Sequence, residues 1–386
     1  MRKVFSLVAW LSIAAGLFAA DAAWKWSGAY DDGAVEMLII GDIQVQKRKD
    51  PASAFIHLRE TLRQADLVYA NLEGSLVESR GPTVDIPDKK DWIHPGPDGA
   101  LALKANNIDV VGVANNVAYG RANILKTLEV LDANGIDHVG AGRNIEEAHL
   151  PVIVERKGVK IGFLQYTARW YREDEQIATE TSPGVARIKS VDGVTIDPGD
   201  LERLRNDVRA LRPRAAIVVV SHHNRDGGTP VQFGPVSETP RGAARPDRTR
   251  AEAYQKQFAH VALDEGADLV FGHGTHTVQG VELYQGKPIL YAIGHSAFDQ
   301  PGYEDSTDGL VVRVVVQDTS IARVSFVPVT RDDHNDVLML DPSTGEGARL
   351  VGVVKGVSGE LPLKIEGTEV VLLSRPSSPT DSSYRR

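Results

Sequence analysis

A chain of 386 residues exceeds what one average domain needs, so one large domain with appendages is expected. Its 42% apolar and 25% charged content is ordinary for a soluble globular protein, and a net charge of −9 argues against nucleic acid as a partner and gives no support to anionic-lipid binding. With no cysteine, disulfides, thiolate zinc sites and cysteine nucleophiles are excluded, and any metal must be held by His, Asp, Glu, Asn or Gln.

In chain order, residues 1–23 carry basic Arg2 and Lys3, an apolar run and then small residues, the layout of a cleavable secretory signal. The run is short for a membrane span, so export is expected, with an uncleaved N-terminal anchor as the alternative. Residues 35–40 (VEMLII) read as a buried strand that runs into Gly41 and Asp42. A helix over 55–64 leads to a second strand, 66–70, ending at Asn71 and Glu73. Residues 79–97, rich in Pro, Asp and Lys, form a surface excursion holding Trp92 and His94. A helix over 98–106 precedes a third strand, 109–113, ending at Asn115 and Asn116. Another helix, 124–134, stops at Gly135, and residues 152–155 and 160–166 form a hairpin around Lys157 and Gly158.

A helix over 201–211 leads to the strand 215–220 (AAIVVV), which ends in Ser221, His222 and His223. The long segment 225–248 carries Arg225, Arg241, Arg245 and Arg248 and reads as a loop beside that strand end. A helix over 249–264 precedes the strand 269–271 and a Gly-rich turn with His273 and His276. The strand 287–293 ends at Gly294 and His295, and residues 309–316 and 321–329 read as closing antiparallel strands. The large domain is thus expected over 34–330, a small β-rich extension over 331–374, and a polar tail over 375–386 with too little apolar content to order itself.

Apolar strands alternate with helices, and strand after strand ends in a residue able to bind metal: Asp42, Glu73, Asn116, His222, His273 and His276. Parallel strands bring their C-terminal ends to one edge, so residues distant in sequence converge there. Mixed oxygen and nitrogen donors at that edge suit one or two divalent ions of Mn, Zn, Fe or Mg.

The order of these motifs resembles the bacterial CapA family, the poly-γ-glutamate capsule synthesis proteins, a branch of the calcineurin-like metallophosphoesterase fold. The resemblance rests on Gly41-Asp42, Asn71-Leu72-Glu73-Gly74, Ala114-Asn115-Asn116, Gly140-Ala141-Gly142, the strand leading to His222, Gly272-His273 with His276, and residues 291–299. It implies an α/β, metallophosphoesterase-like layered sheet sandwich flanked by helices, here with a small C-terminal β-rich appendage. It also implies a link to the capsule-synthesis machinery. Three departures stand out: Val117 occupies the place of the family's His in A-N-N-H, His223 and Asn224 follow His222 where the family has Trp-Gly, and His295 replaces the Asn of G-N-F. Asn115 and His295 are candidates to assist a substrate oxyanion, and His223, His295 or His94 to supply the acid lost at Val117. Two readings follow. One is an exported metal-dependent hydrolase acting on an anionic ester or γ-glutamyl-type amide, with Glu73 bridging two ions. The other is a non-catalytic binding or assembly factor for an anionic cell-surface polymer.

Overall fold

The computed structural model describes residues 23–28, 30–78, 86, 94–192, 194–224, 249–299 and 307–375. Residues 1–22, on which the expected signal falls, Trp92, the four loop arginines and residues 376–386 lie outside the described residues.

Two sheets carry the fold. The strand Val35–Gln44 lies near the middle of the first and is buried almost throughout, as its continuous apolar run requires. Leu67–Leu72, Val110–Gly112 and Asp137–Val139 follow it in parallel, each delivered by a helical crossover: Arg59–Gln64, Asp98–Ala105 and Arg121–Ala133. On its other side lie antiparallel Gly309–Gln317 and Ser320–Arg331, the two closing strands expected from the sequence. The second sheet runs, in spatial order, Val152–Arg156, Val159–Thr167, Ile217–His223, Leu269–His273, Lys287–Leu290 and Val281–Tyr284. Its four inner strands are parallel, and helices Pro198–Leu211 and Ala253–Asp264 make crossovers between them.

Side-chain alternation sorts these strands into four layers. Val35, Met37, Ile39, Leu67 and Tyr69 of the first sheet meet Ile161, Phe163, Ile217, Val219, Leu269 and Phe271 of the second in a core between the sheets. The residues between them point outwards. Leu38, Ile40, Val68 and Ala70 pack on Leu62, Leu103, Leu128 and Leu131 of the helices, while Val218, Val220 and Val270 pack on Leu204, Val208 and Phe258. The result is the α/β layered sandwich flanked by helices. Each fully buried Leu, Val or Phe contributes about 1.5–3 kcal/mol, and in a chain without disulfides this burial must carry the stability.

Among the strands not anticipated from the sequence, His295–Phe298 matters most: it lies parallel to the end of Val35–Gln44 with His295 opposite Asp42. The central strand therefore changes partner midway, from Gly309–Gln317 along Val35 to Ile39 to His295–Phe298 from Asp42 onwards. A Cβ on Gly41 would stand 2.2 Å from the Gly294 carbonyl oxygen, so only glycine permits this approach.

Within residues 331–374, strands Val337–Met339, Lys364–Glu366 and Glu369–Ser374 continue the first sheet, and helix Gly345–Val357 places Leu350, Val351 and Val354 in the core between the sheets. Glu369 is fully buried and accepts from Arg323 at 3.0 Å and from the Ser27 backbone N–H at 2.8 Å, with Arg313 at 3.4 Å. This ion network joins the segment before the first strand to the last strand.

Candidate metal centre

Alternation also decides which polar side chains meet at the sheet edge. In Leu67–Leu72 the inward set continues from Leu67 and Tyr69 to Asn71 and, past the strand, to Glu73. In Ile217–His223 it continues from Ile217 and Val219 to Ser221, whose hydroxyl lies 3.0 Å from the Tyr69 hydroxyl across the layer, and then to His223. His222 falls on the opposite face and stacks on Phe258 of the outer helix, with ring centroids 4.5 Å apart. Leu269 and Phe271 lead in the same way to His273, whose ring lies parallel to Tyr69. Asp42 breaks the pattern: the pairing shifts register between Ile40 and Asp42, and its carboxylate accepts from the Gly274 backbone N–H of the second sheet at 3.1 Å.

The donor atoms of Asp42, Glu73, His276 and His295 all lie within 4.8 Å of one another, and all four residues are buried. The Nδ1 of His276 and the Nε2 of His295 face each other in contact. His276 holds a left-handed backbone, φ 57°, just after Gly274 at φ 86°. A non-glycine residue there costs about 1–3 kcal/mol and persists only where its surroundings enforce it. His273 Nδ1 is 3.4 Å from an Asp42 oxygen, and neither of its ring nitrogens makes a hydrogen bond. His223 Nε2 is 2.7 Å from Asn116 Oδ1 and 4.0 Å from a Glu73 oxygen.

Burial, and next the charge of Glu73, hold the Asp42 carboxyl well above the usual carboxylate range, against the opposing hydrogen bonds from Gly274 and Asn71. Burial pushes His222 down to about 4, partly offset by the Phe271 backbone. Burial and the neighbouring His222 push His273 down to about 3. Two carboxylates buried together with several imidazoles form a donor set that a divalent cation would satisfy, so the residues fit a metal.

Of the residues singled out from the sequence, Asp42, Glu73, Asn116, His223, His273, His276 and His295 converge on this edge. His222 is directed into the helix layer instead. Asn115 shapes the turn: its amide donates to the Leu72 carbonyl at 2.7 Å and its oxygen accepts from the backbone N–H groups of Val117 and Ala118. His94 accepts from the Ser75 backbone N–H at 3.2 Å. Val117 packs with Ile86, Tyr119 and Phe298 in a small apolar cluster.

Two residues were given no role from the sequence. Asn71 donates to Asp42 at 2.8 Å, and its oxygen accepts from Gln165, whose own oxygen accepts from the Ala114 backbone N–H at 2.7 Å. Gln165 follows Ile161 and Phe163 on the inward face, and a polar residue interrupting that apolar set was the available signal. A second group, His57, Asp332 and Asp336, is only half-buried, and Asp336 is engaged by Arg48. No helix of the described residues is long and apolar enough to cross a membrane.

The PGA biosynthesis protein CapA of Bacillus subtilis is 26% identical over 325 residues, covering 80% of this chain and 76% of that protein. The capsule biosynthesis protein CapA of Bacillus anthracis is 25% identical over 305 residues, covering 76% and 66%. Among solved structures, a phosphatase from Mycoplasma pneumoniae aligns over 78% of this chain and 95% of that one, at 12% identity and a TM-score of 0.44. Residues 32–300 match the profile of the family described as bacterial capsule synthesis protein PGA_cap. The match takes in every residue of the candidate metal centre, from Asp42 to His295, and the chain belongs to that family.

Proposed function

We propose that this protein is an exported, metal-dependent hydrolase of the cell surface that serves capsule or poly-γ-glutamate metabolism. Its substrate would be an anionic polymer or smaller anionic molecule, cut at a γ-glutamyl-type amide or a phosphoester. The observation that carries this reading is the buried convergence of Asp42, Glu73, His276 and His295, with His223 and Asn116 beside them, from both sheets onto one edge. A pure polymer-binding surface has no need of that many desolvated ligating groups. The link to capsule metabolism comes from the two relatives named CapA, and the expectation of export from the N-terminal sequence pattern.

In this proposal Asp42, Glu73, Asn116, His223, His273 and His276 would hold one or two divalent ions. Ions bound there would polarise the scissile bond and lower the pKa of water near neutral pH. Asn71 orients the Asp42 carboxylate, and Gln165 orients Asn71. Asn115 sets the turn that carries Asn116. The centre's local positive charge, rather than the chain's net charge of −9, would receive the anionic substrate.

A specific observation favours the second reading, a non-catalytic binding or assembly factor. Where the family motif has a His, Val117 is fully buried against Tyr119 and Phe298 and has no proton to give. The deciding assay is turnover by the metal-stripped, then Mn²⁺-, Zn²⁺- or Mg²⁺-reloaded protein on a chromogenic phosphodiester, a phosphomonoester and a γ-glutamyl amide. Metal-dependent turnover lost in His276→Ala supports the hydrolase. Stoichiometric metal without turnover on any of the three rejects it in favour of the binding factor.

A further inference from the structure

We propose that His295 is itself a metal ligand, and that it tilts the centre towards a borderline ion such as Zn²⁺ or Fe²⁺ over Mg²⁺ and Mn²⁺. The inference rests on the metal-centre reading above and assigns His295 a different task from the oxyanion or acid role suggested by its sequence position.

Backbone geometry puts His295 there. Its strand pairs with the central strand so that His295 is directly opposite Asp42, and the Asp42 backbone N–H donates to the Gly294 carbonyl at 3.1 Å. The imidazole is fully buried and stacked on Phe298, with ring centroids 4.2 Å apart and an interplanar angle of 9°. That stack fixes the ring plane, and in this plane Nε2 faces Nδ1 of His276. A ring so held, with its nitrogen aimed at a second imidazole and near two carboxylates, is arranged like a ligand. A proton donor would direct that nitrogen at a substrate instead.

The chemistry then gives a selectivity. An Asn at this position, as in the family motif, offers an amide oxygen. Within the cluster of Asp42, Glu73 and His276, apart from His223 and His273 further along the edge, it would leave an oxygen-rich set of the kind Mg²⁺ and Mn²⁺ favour. His295 changes the local set to two imidazole nitrogens and two carboxylates. Such a set matches the four-coordinate nitrogen and oxygen sites of zinc and the imidazole preference of iron, whereas Mg²⁺ demands near-octahedral oxygen.

The test is calorimetric titration of the folded full-length mature chain with Zn²⁺, Mn²⁺ and Mg²⁺, comparing wild type with His295→Asn. The Zn²⁺ dissociation constant should rise about 10- to 100-fold in the variant, with Mn²⁺ changing less than about three-fold, so that the preference collapses. An unchanged Zn²⁺-to-Mn²⁺ ratio in a variant that still binds metal overturns the inference and leaves the metal centre standing. A wild type that binds no metal overturns both. Should His295→Asn fail to fold, the wild-type imidazole ¹⁵N spectrum decides. Zn²⁺ is expected to shift the His295 Nε2 resonance into the metal-bound range, and an unmoved resonance refutes the assignment.

Discussion

Replacing His222 by leucine should make the metal-stripped protein more resistant to acid while leaving metal binding intact. His222 is fully buried, its ring lies on Phe258, and neither of its nitrogens makes a hydrogen bond of ordinary geometry. Burial lowers its pKa from 6.5 to about 4. Because the folded-state value is the lower one, the unfolded chain binds more protons as the pH falls, and stability drops from about pH 6.5 downwards until the folded-state value is passed. At about 1.36 kcal/mol per pH unit, the gap sets a ceiling of about 3 kcal/mol, of which about 2 kcal/mol should already be lost at pH 5. Leucine is close in volume, keeps the contact with Phe258 and has no proton to take up. Urea unfolding of the chelator-treated proteins at pH 7 and pH 5 reads the difference. Wild type should lose about 2 kcal/mol more than His222→Leu between the two pH values. His273 adds its own acid penalty, and because His222 helps depress it, losing His222 can only reduce that penalty, which acts in the same direction. Equal losses would refute the reasoning, as would a variant unable to bind metal at pH 7.

Other consequences are as direct. Gly41→Ala puts a methyl group 2.2 Å from the Gly294 carbonyl oxygen, and it should cost about 1–3 kcal/mol or more and weaken metal binding by parting Asp42 from His295; thermal melting and metal content check this. Asn71→Ala removes the amide that orients Asp42 and should lower metal affinity about 10- to 100-fold by calorimetry, with the fold retained by circular dichroism. Glu369→Gln leaves Arg313 and Arg323 without their shared buried carboxylate and should destabilise by about 3–5 kcal/mol in chemical denaturation. Because Asp42 is held above the usual carboxylate range, protons compete with the cation: metal affinity should rise with pH through the acid range, with proton release visible in buffers of different ionisation enthalpy.

Much of this was legible in the chain itself. The apolar runs ending in Asp42, Glu73 and Asn116 read correctly as parallel strands because a strand covered on both faces must be apolar throughout. The inward direction of His223 was legible too, by counting twos from Ile217, whereas the resemblance to the family's strand end pointed to His222. Asp42 could not be placed by counting, because the register shift after Ile40 inverts the alternation and leaves no mark in the residue types. Helix Gly345–Val357 was hidden by Gly345, Gly347, Gly352 and Gly356, each about 1 kcal/mol poorer than Ala in a helix. The burial of Leu350, Val351 and Val354 between the sheets outweighs that propensity. The partnership of His295 with Asp42 depends on a four-residue strand that departs from a glycine turn, and nothing local announces its pairing.

If the edge where both sheets end holds metal, His223 rather than His222 serves it. The most direct measurement is metal content by mass spectrometry after dialysis against Zn²⁺ or Mn²⁺, for wild type, His222→Leu and His223→Ala. Wild type and His222→Leu should retain the same stoichiometric metal, with His223→Ala retaining less. Metal lost from His222→Leu but kept by His223→Ala would contradict the account, and a wild type without bound metal would remove its basis.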